Sequence, residues 1–394
     1  MLEYAGSQRA GRREREALHL LAVVRSFDWI LVGGLVALVV VGLWGIGGIT
    51  SHDPAGPSYY LNKQILYAAA GGFVLVVAAL IDPDLYRRYW RWIYGVTVGL
   101  IVIVYLAGKA AGGATRWISL GFFQFQPSEF GKLLVVLALA GLIAERQSAL
   151  GAWSTTLRVL LFGAVPALLV FVQPDLGTAL VYMAALAGML FVAGTPWSHL
   201  ATLGAVVVLL LAGVLWIGPS VGVQFLRGYQ KARLTCFIDP TNCSDSQVYN
   251  QKQSKITVGA GQIRGVGPNA SSQVNGGFLP AYNTDFAFAS YAEQRGFIGA
   301  VILLALYLLV LWRGLRVVTV ARDLFSAVAA GGIVLALFFQ IFVNVGMTMG
   351  IAPITGIPLP FLSVGGSAMI ANLAAMGVLL AIHARGRASR RRRA

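Results

Sequence analysis

Long apolar runs separated by short charged clusters are the feature that most constrains how this chain can fold. The run from Trp29 to Ile49 contains no charged side chain, and it is long enough to cross the roughly 30 Å hydrocarbon core of a bilayer. No small-residue cleavage site follows it, so we interpret it as a retained helix and not as a signal peptide. Charged residues make up 11% of the 394 residues, whereas soluble proteins carry about 25%. The sequence therefore predicts a polytopic membrane protein.

Ten apolar runs are long enough to form membrane helices, which predicts an all-α fold with ten transmembrane helices. The polar stretch between helices seven and eight, residues 227–287, is then a large loop outside the lipid. We expect one membrane domain over residues 28–385, preceded by a basic arm (1–27) and followed by a basic tail (386–394). The predicted helices lie near 28–49, 64–81, 91–108, 127–144, 158–173, 176–193, 200–225, 288–312, 324–346 and 366–383.

The distribution of basic residues predicts the orientation of these helices. An even number of helices places both termini on one side of the membrane. Most of the 30 lysines and arginines lie in the terminal segments and in the short loops on that same side, and short cytoplasmic loops are the ones that collect such residues. We therefore expect cytoplasmic termini and an extracytoplasmic 227–287 loop. The net charge of +15 follows from this pattern and argues against nucleic acid as a partner.

Cysteine and histidine usage gives little support for a metal. Cys236 and Cys243 both lie in the predicted outer loop, where they could close a small disulfide ring if the compartment is oxidising; free thiols are the alternative. The four histidines are spread along the chain, and none joins a cluster with the spacing of metal ligands. We do not expect a structural metal.

Several charged residues stand at the predicted outer ends of helices. Glu129 and Lys132 are three residues apart and share a helix face; such a pair inside a bundle indicates a functional cavity, although a helix start with a snorkelling lysine is the simpler alternative. Asp175 precedes the sixth helix, where it either caps that helix or joins the same cavity. Arg116 and Trp117, in the loop before the fourth helix, suit a diphosphate or a sugar but are also common at a membrane interface.

Three further stretches lie at the outer side. Ser254 and Lys255 belong to QSKITVGAG, an amphipathic stretch that could lie along the membrane surface, with Lys255 and Arg264 either meeting a lipid diphosphate or forming an ordinary solvated face. Asp285 stands where the loop joins the eighth helix, as a helix cap or as a catalytic carboxylate. The segment from Asn344 to Ser367 is rich in proline and glycine, so we expect an irregular loop folded into the outer mouth of the bundle.

Five motifs resemble, in order and spacing, those of the SEDS family (shape, elongation, division and sporulation). The likeness runs from about residue 28 to 385. The lysine of QSK and the ending IHARGR favour the members that act in elongation over those that act in division. The matching stretches are QPSEFGK at 126–132, QPDLGT at 173–178, QSKITVGAG at 253–261, NTDFAFA at 283–289 and TGIPLPFLSVGGS at 355–367.

The resemblance implies a peptidoglycan glycosyltransferase of the bacterial inner membrane that polymerises lipid II into β-1,4 glycan strands, with a class B penicillin-binding protein as partner. By motif, Asp285 falls on the family's essential carboxylate, and Glu129 and Lys132 fall on its important acid and base. Lipid II and the growing lipid-linked glycan would meet the candidate binding residues Glu129, Lys132, Arg116, Asp175, Lys255 and Ser254. No cofactor follows from the motifs, and a divalent ion is one candidate for balancing the leaving diphosphate.

Two other functions compete with this interpretation. A flippase that moves lipid II across the bilayer would also use a charged pair inside a helix bundle, so Glu129 and Lys132 suit either function. A carboxylate outside the membrane, such as Asp285, suits chemistry better. A non-catalytic scaffold for a penicillin-binding protein would not need several charged groups at one mouth of the bundle.

Overall fold

The computed structural model describes residues 24–107, 109–111, 114–119, 123–213 and 245–391. Most of these residues are helical. In chain order the helices are α1 (Trp29–Ile49), α2 (Tyr59–Leu80), α3 (Pro83–Arg88), α4 (Trp90–Ala107), α5 (Pro127–Glu145), a 3₁₀ turn (Gln147–Ala149), α6 (Trp153–Val172), α7 (Leu176–Val192), α8 (Trp197–Ala212), α9 (Asp245–Ala260), α10 (Ser272–Asn275), α11 (Ala287–Val320), α12 (Leu324–Met349) and α13 (Gly366–Arg391).

Seven helices in the described part of the chain are long and apolar enough to cross a membrane, namely α1, α2, α5, α6, α11, α12 and α13. Three shorter apolar helices, α4, α7 and α8, coincide with the remaining predicted runs. The chain is therefore a multi-pass helical membrane protein, as the sequence predicted. The end predicted for the seventh helix, residue 225, lies outside the described residues, and the number of bilayer crossings stays a prediction.

A small antiparallel sheet precedes α5, where the sequence analysis expected only a loop. Its strands are β1 (Lys109–Ala111), β2 (Ala114–Ser119) and β3 (Gln124–Phe125). Lys109 pairs with Trp117, and Ile118 pairs with Phe125. The sheet is a local addition to the predicted all-α fold, and it forms because TRWIS combines β-branched and aromatic residues that favour strands.

The helices pack as a bundle in which α5, α12 and α13 are the most buried of the seven long helices. α13 lies along α2, and α12 lies between α7 and α11. Glycine permits the closest of these contacts: a Cβ at Gly377 of α13 would lie 2.3 Å from the carbonyl oxygen of Leu75 in α2. Such small residues are what allows helix backbones to approach in a membrane protein.

We call the end of the bundle where the chain termini lie the inner end. Buried ion pairs connect the helix ends there. Asp28 caps α1 and accepts hydrogen bonds from Arg313 of α11, at 2.9 Å from Nε and 2.5 Å from Nη2. His383 of α13 places Nε2 3.8 Å from the same carboxylate oxygen. All three side chains are buried. The opposite end, where α1 stops and α2 begins, is the outer end.

A break in α11 fixes part of the outer loop to the bundle. Gly296 has φ 67° and ψ −169°, which interrupts the helix, and a Cβ there would lie 2.2 Å from the backbone nitrogen of Gly265. The loop residues 262–267 satisfy the backbone groups that the break exposes. The bonds run from Val266 N to Glu293 O, Gly267 N to Gln294 O, Phe297 N to Gln262 O and Ile298 N to Ile263 O, at 2.8–3.1 Å.

Candidate active site

An irregular stretch between α12 and α13, residues 350–365, forms the centre of the outer end; we call it the re-entrant segment. The sequence predicts an irregular stretch from Asn344 onwards, which is wrong, because Asn344 to Met349 are the last turns of α12. The helix continues until Gly350, which adopts the left-handed conformation (φ 79°) typical of a glycine helix stop. Asn344 is therefore held on a helix and not on a loop.

The re-entrant segment contacts the outer ends of α2 and α7, and the start of α13 that follows it contacts the residue before α5. Gln64 of α2 donates to the carbonyl oxygen of Ser363 at 3.1 Å and accepts from the nitrogen of Gly365 at 3.2 Å. Next to the segment, Ser367 at the start of α13 accepts a bond from the nitrogen of Gln126 at 3.0 Å. At the start of α7, a Cβ on Gly177 would lie 2.7 Å from Ile357. The motifs at 126–132, 173–178 and 355–367 thus meet in space.

Glu129 and Lys132 form a buried ion pair in the first turns of α5. Lys132 Nζ lies 2.7 Å from Glu129 Oε2 and donates a second hydrogen bond, 2.8 Å long, to Oε1 of Gln340 in α12. The adjoining cavity is lined by α5, α12 and α13 side chains and has a volume of about 20 Å³, which is room for about one water molecule. The predicted acid–base pair therefore exists, but it lies inside the bundle and not in an open cleft.

Asp175 caps α7, which is one of the two alternatives from the sequence, and it also contacts the start of α5; it does not line the cavity beside Glu129 and Lys132. Its Oδ1 caps α7 by accepting from the nitrogen of Thr178 at 3.2 Å. Its Oδ2 accepts from Nε2 of Gln126 at 3.2 Å, next to Ser128 of the α5 motif. The carboxylate is 5% exposed, so its direct role is to join the starts of α5 and α7.

Asp285 is half-buried on the turn that leads into α11. The N-cap position of that helix is occupied by Phe286, so Asp285 stands one residue outside the cap. Its carbonyl oxygen accepts a 2.9 Å hydrogen bond from Nδ2 of Asn344. The turn that carries the candidate base is thus bonded to the same helix, α12, that contacts Lys132.

A tyrosine–carboxylate contact supports this turn from the α1–α2 connection. Tyr282 donates a hydrogen bond to Oδ2 of Asp53, and its carbonyl oxygen accepts from Ser290 Oγ at 2.8 Å. Burial of the ring, together with the bond to Asp53, raises the pKa of Tyr282 above its usual range. The raised pKa favours the protonated phenol, which is the form that donates to Asp53.

The QSK stretch lies on α9, which packs against α11 and α12. Ser254 is buried and donates to the carbonyl oxygen of Thr348 at 3.0 Å. Lys255 is exposed and lies over Gly350, where a Cβ would come within 2.6 Å of Nζ. Its positive charge therefore stands at the carboxyl end of α12, where the helix dipole favours a cation. The two predicted residues have different roles, because one is packed and the other faces outwards.

Other predicted features fall partly outside the described part of the chain. Arg116 lies on β2, and the placement of its side chain is outside the described residues, as are Cys236 and Cys243. Its neighbour Trp117 donates from Nε1 to Gln126 Oε1 at 3.1 Å, which connects the small sheet to the α5 motif. Among the described residues, no group of three or more His, Cys, Asp or Glu side chains could hold a metal ion.

Sequence reasoning missed three polar residues of this region: Gln340, Asn344 and Ser363. The signal for the first two was available, since an amide within an otherwise apolar helix is costly and marks function in membrane proteins. Ser363 carried no comparable signal, because it stands in a segment already expected to be irregular. A fourth residue, Glu293, is fully buried and accepts hydrogen bonds from Ser271 Oγ at 2.6 Å and from Gln273 N at 2.9 Å, so it holds the outer loop near α10.

Comparisons with known proteins give a consistent result. The profile of the FtsW/RodA/SpoVE family, described as cell cycle protein, matches residues 25–388. Peptidoglycan glycosyltransferase MrdB of Escherichia coli K12 is 38% identical over 351 residues, which is 89% of this chain and 91% of that protein.

Two solved structures are also similar. One, described as structural coordination of polymerization and crosslinking by a peptidoglycan synthase complex, has a chain that matches with a TM-score of 0.77 and 30% identity, covering 91% of this chain and 98% of that one. The rod shape determining protein RodA of Thermus thermophilus matches with a TM-score of 0.67 and 28% identity, covering 91% and 96%.

Proposed function

Because this chain belongs to the FtsW/RodA/SpoVE family, the SEDS family of the sequence analysis, we propose that it polymerises lipid II into β-1,4 glycan strands with Asp285 as general base. It is a peptidoglycan glycosyltransferase, like the relatives named above. MrdB of Escherichia coli and the rod shape determining protein RodA match this chain, and so does a protein named as a probable FtsW; the role that we propose is elongation, which the QSK and IHARGR stretches favour. The finer assignments below are proposals about this chain's own residues.

The observation that carries the proposal is the position of Asp285. It is half-buried where the outer loop enters the bundle, on a turn bonded to α12 and to the re-entrant segment. The same re-entrant segment packs against the start of α7 and lies beside the start of α5. A carboxylate held at such a junction can meet a sugar outside the lipid while the lipid tail stays among the helices.

In the proposed reaction, the main role of the Asp285 carboxylate is to accept a proton. The 4-hydroxyl of the GlcNAc of lipid II attacks the anomeric carbon of the lipid-linked end of the growing chain. The C–O bond to the diphosphate breaks, and attack from the opposite face converts an α-diphosphate into a β-1,4 linkage. Asp285 takes the proton of the attacking hydroxyl as the new bond forms, which is worth about 10²–10⁴ in rate.

The departing undecaprenyl diphosphate needs positive charge near it. Lys132 is already bonded to Glu129 and Gln340 inside the bundle, whereas Lys255 is exposed at the outer end. We therefore assign the direct contact with the diphosphate to Lys255, with Arg116 and a divalent ion as further candidates. Glu129, Lys132 and Asp175 then shape the site from within by fixing the starts of α5 and α7, and Ser254 holds α9 in place.

The same proposal places the protein in the bacterial inner membrane with ten crossings, cytoplasmic termini and an extracytoplasmic loop over residues 227–287. The basic residues of short loops support this orientation. A class B penicillin-binding protein is the proposed partner, since the similar synthase complex is described as coordinating polymerization and crosslinking.

The test uses the purified full chain in detergent, given lipid II as the sole substrate. The expected result is that the parent protein makes glycan strands and that Asp285→Asn makes them about 10²–10⁴ times more slowly. Lipid II transport by the parent in vesicles without any glycan synthesis would favour a flippase. A scaffold would be favoured if the parent showed neither activity and an added penicillin-binding protein made all the glycan. In that case the rate of glycan synthesis would be the same with the parent and with Asp285→Asn.

A further inference from the structure

Three consecutive backbone carbonyls around Asp285 each accept a hydrogen bond from the neighbouring part of the bundle. The carbonyl oxygen of Asn283 accepts from the nitrogen of Val364 at 2.9 Å. That of Thr284 accepts from Ser363 Oγ at 2.6 Å, and that of Asp285 accepts from Asn344 Nδ2 at 2.9 Å. The turn preceding α11 is thus held residue by residue, and two of the three donors are side chains.

The two side-chain donors are themselves fixed. Asn344 is fully buried, and its Nδ2 also donates to the carbonyl oxygen of Ile357 at 2.7 Å. Because both neighbours of that amide are carbonyl oxygens, its nitrogen must face them. Ser363 is 4% exposed and accepts a 2.8 Å bond from the nitrogen of Leu359 while it donates to Thr284. Each donor therefore connects the Asp285 turn to the re-entrant segment.

The side-chain amide of Asn344 is unfavourable for the stability of the bundle. Its Oδ1 is buried and has no hydrogen-bond partner among the residues that the structure describes, and an unpaired buried acceptor costs stability. An amide on an apolar membrane helix is itself unfavourable. A residue kept under these conditions suggests a role in the function of the site.

We propose that Asn344 and Ser363 are positioning residues that set the direction of the Asp285 carboxylate through the backbone of its own turn. This inference rests on the proposed function, in which Asp285 is the general base. A base must lie within about 2.6–3.2 Å of the proton that it takes. The carbonyl of Thr284 belongs to the peptide that precedes the Cα of Asp285, and the carbonyl of Asp285 belongs to the peptide that follows it. Bonds to both carbonyls therefore restrict rotation of the peptide planes on both sides of the carbon that carries the carboxylate.

The experiment compares Asn344→Ala, Ser363→Ala and Ser363→Thr in the purified full chain, with kcat and KM measured for lipid II. Ser363→Thr keeps the hydroxyl and acts as the rescue variant. Ser326→Ala is the matched control, because Ser326 is also 4% exposed and lies on α12, about 27 Å along the helix from Asn344 at 1.5 Å per residue. Thermal melting of each variant monitors the fold.

If the two residues position the base, Asn344→Ala and Ser363→Ala lower kcat by about 10- to 100-fold, the loss that a misplaced group of this kind causes. KM for lipid II stays within about threefold, since binding does not need the proton transfer. Ser363→Thr and Ser326→Ala keep the parent rate. In an Asp285→Asn background, Asn344→Ala lowers the residual rate less than about twofold, because there is no base left to misplace.

Three results would overturn the inference while leaving the proposed function intact. One is a parent-like kcat in both Ala variants with Asp285→Asn inactive. Another is a loss of melting temperature without a loss of kcat per folded molecule. The third is a full additive loss in the Asp285→Asn background. If Asn344→Ala does not fold, the kcat values of Ser363→Ala and Ser363→Thr are sufficient to test the inference. A parent protein that makes no glycan would instead remove the proposed function.

Discussion

Gln340 and Asn344 lie one helical turn apart on α12, and each binds a different part of the candidate site. Gln340 accepts from Lys132 at 2.8 Å, and Asn344 donates to the carbonyl oxygen of Asp285 at 2.9 Å. A spacing of four residues puts them on one face, about 6 Å apart along the axis. One rigid helix therefore connects the buried ion pair to the turn of the candidate base.

Asp285→Asn is expected to abolish most glycan synthesis with little change in stability. Asparagine has nearly the same shape but cannot take a proton, so the rate should fall by about 10²–10⁴. Lipid II binding should fall much less. The measurements are polymerisation by the purified protein and its melting temperature. Synthesis near the parent rate would show that Asp285 is not the general base. The main argument for the location of the site would then be lost.

The structure also changes what is expected of Asp285→Ala. A capping aspartate would lose about 1 kcal/mol on this substitution, but the N-cap of α11 is Phe286. We therefore expect Asp285→Ala to melt close to the parent and to be as inactive as Asp285→Asn. A clearly lower melting temperature for Ala than for Asn, together with residual activity, would instead indicate a structural role.

The Glu129–Lys132 pair should respond differently to single and to double substitution. Lys132→Gln leaves the carboxylate of Glu129 buried without its cation, and breaking a buried pair in this way costs about 3–5 kcal/mol. Glu129→Gln with Lys132→Gln replaces the pair by two neutral amides that can bond to one another, so stability should largely return. Activity should stay low in Lys132→Gln, in Glu129→Gln and in the double variant. Full polymerisation by either single variant would exclude the pair from the site.

Orientation is testable at Ser272, which is exposed on α10 in the outer loop. With Cys236 and Cys243 replaced by serine, Ser272→Cys should react with a membrane-impermeant maleimide on intact spheroplasts. Ala388→Cys, on the exposed end of α13, is the control and should react after the membrane is opened. The reverse pattern would mean that the outer loop and the termini have been assigned to the wrong sides.

The carboxylate of Asp323, at the inner end of the bundle, is expected to contribute to the free energy of unfolding in a way that is lost in acid. Burial alone would raise the pKa of this carboxyl, but the N–H of Ser326 and the guanidinium of Arg322 outweigh burial and hold it below its ordinary value. A carboxyl with a depressed folded pKa stabilises the fold above its unfolded pKa of about 3.9, and that contribution is lost as the pH falls through the folded value.

The expected measurement is a melting curve at several pH values for the parent and for Asp323→Asn. Asparagine still caps α12 but lacks the charge. The parent should therefore melt higher than the variant above about pH 5, and the difference should shrink below about pH 4, where the unfolded carboxyl is protonated. A constant difference across this range would show that the charge of Asp323 contributes nothing to stability.

The sequence by itself determined the class of fold and the places where function had to be sought. A bilayer imposes a one-dimensional requirement of length and apolarity on each crossing segment, so the apolar runs could be located from the sequence alone; that there are ten crossings stays a prediction. Glu129 and Lys132 were paired correctly because helix periodicity is local. Asp285 was placed correctly at the mouth of the bundle because it stands where a polar loop meets an apolar run.

Only the tertiary structure decided which residues meet across the chain. Lys132 donates a hydrogen bond to Gln340, which is 208 residues away in the sequence. Asn344 donates one to the backbone of Asp285, which is 59 residues away. A hydrogen bond to a backbone carbonyl leaves no pattern in the sequence of the acceptor, since every residue has one. The break in α11 could not be predicted either, because it depends on residues 262–267, which become its neighbours only when the chain has folded.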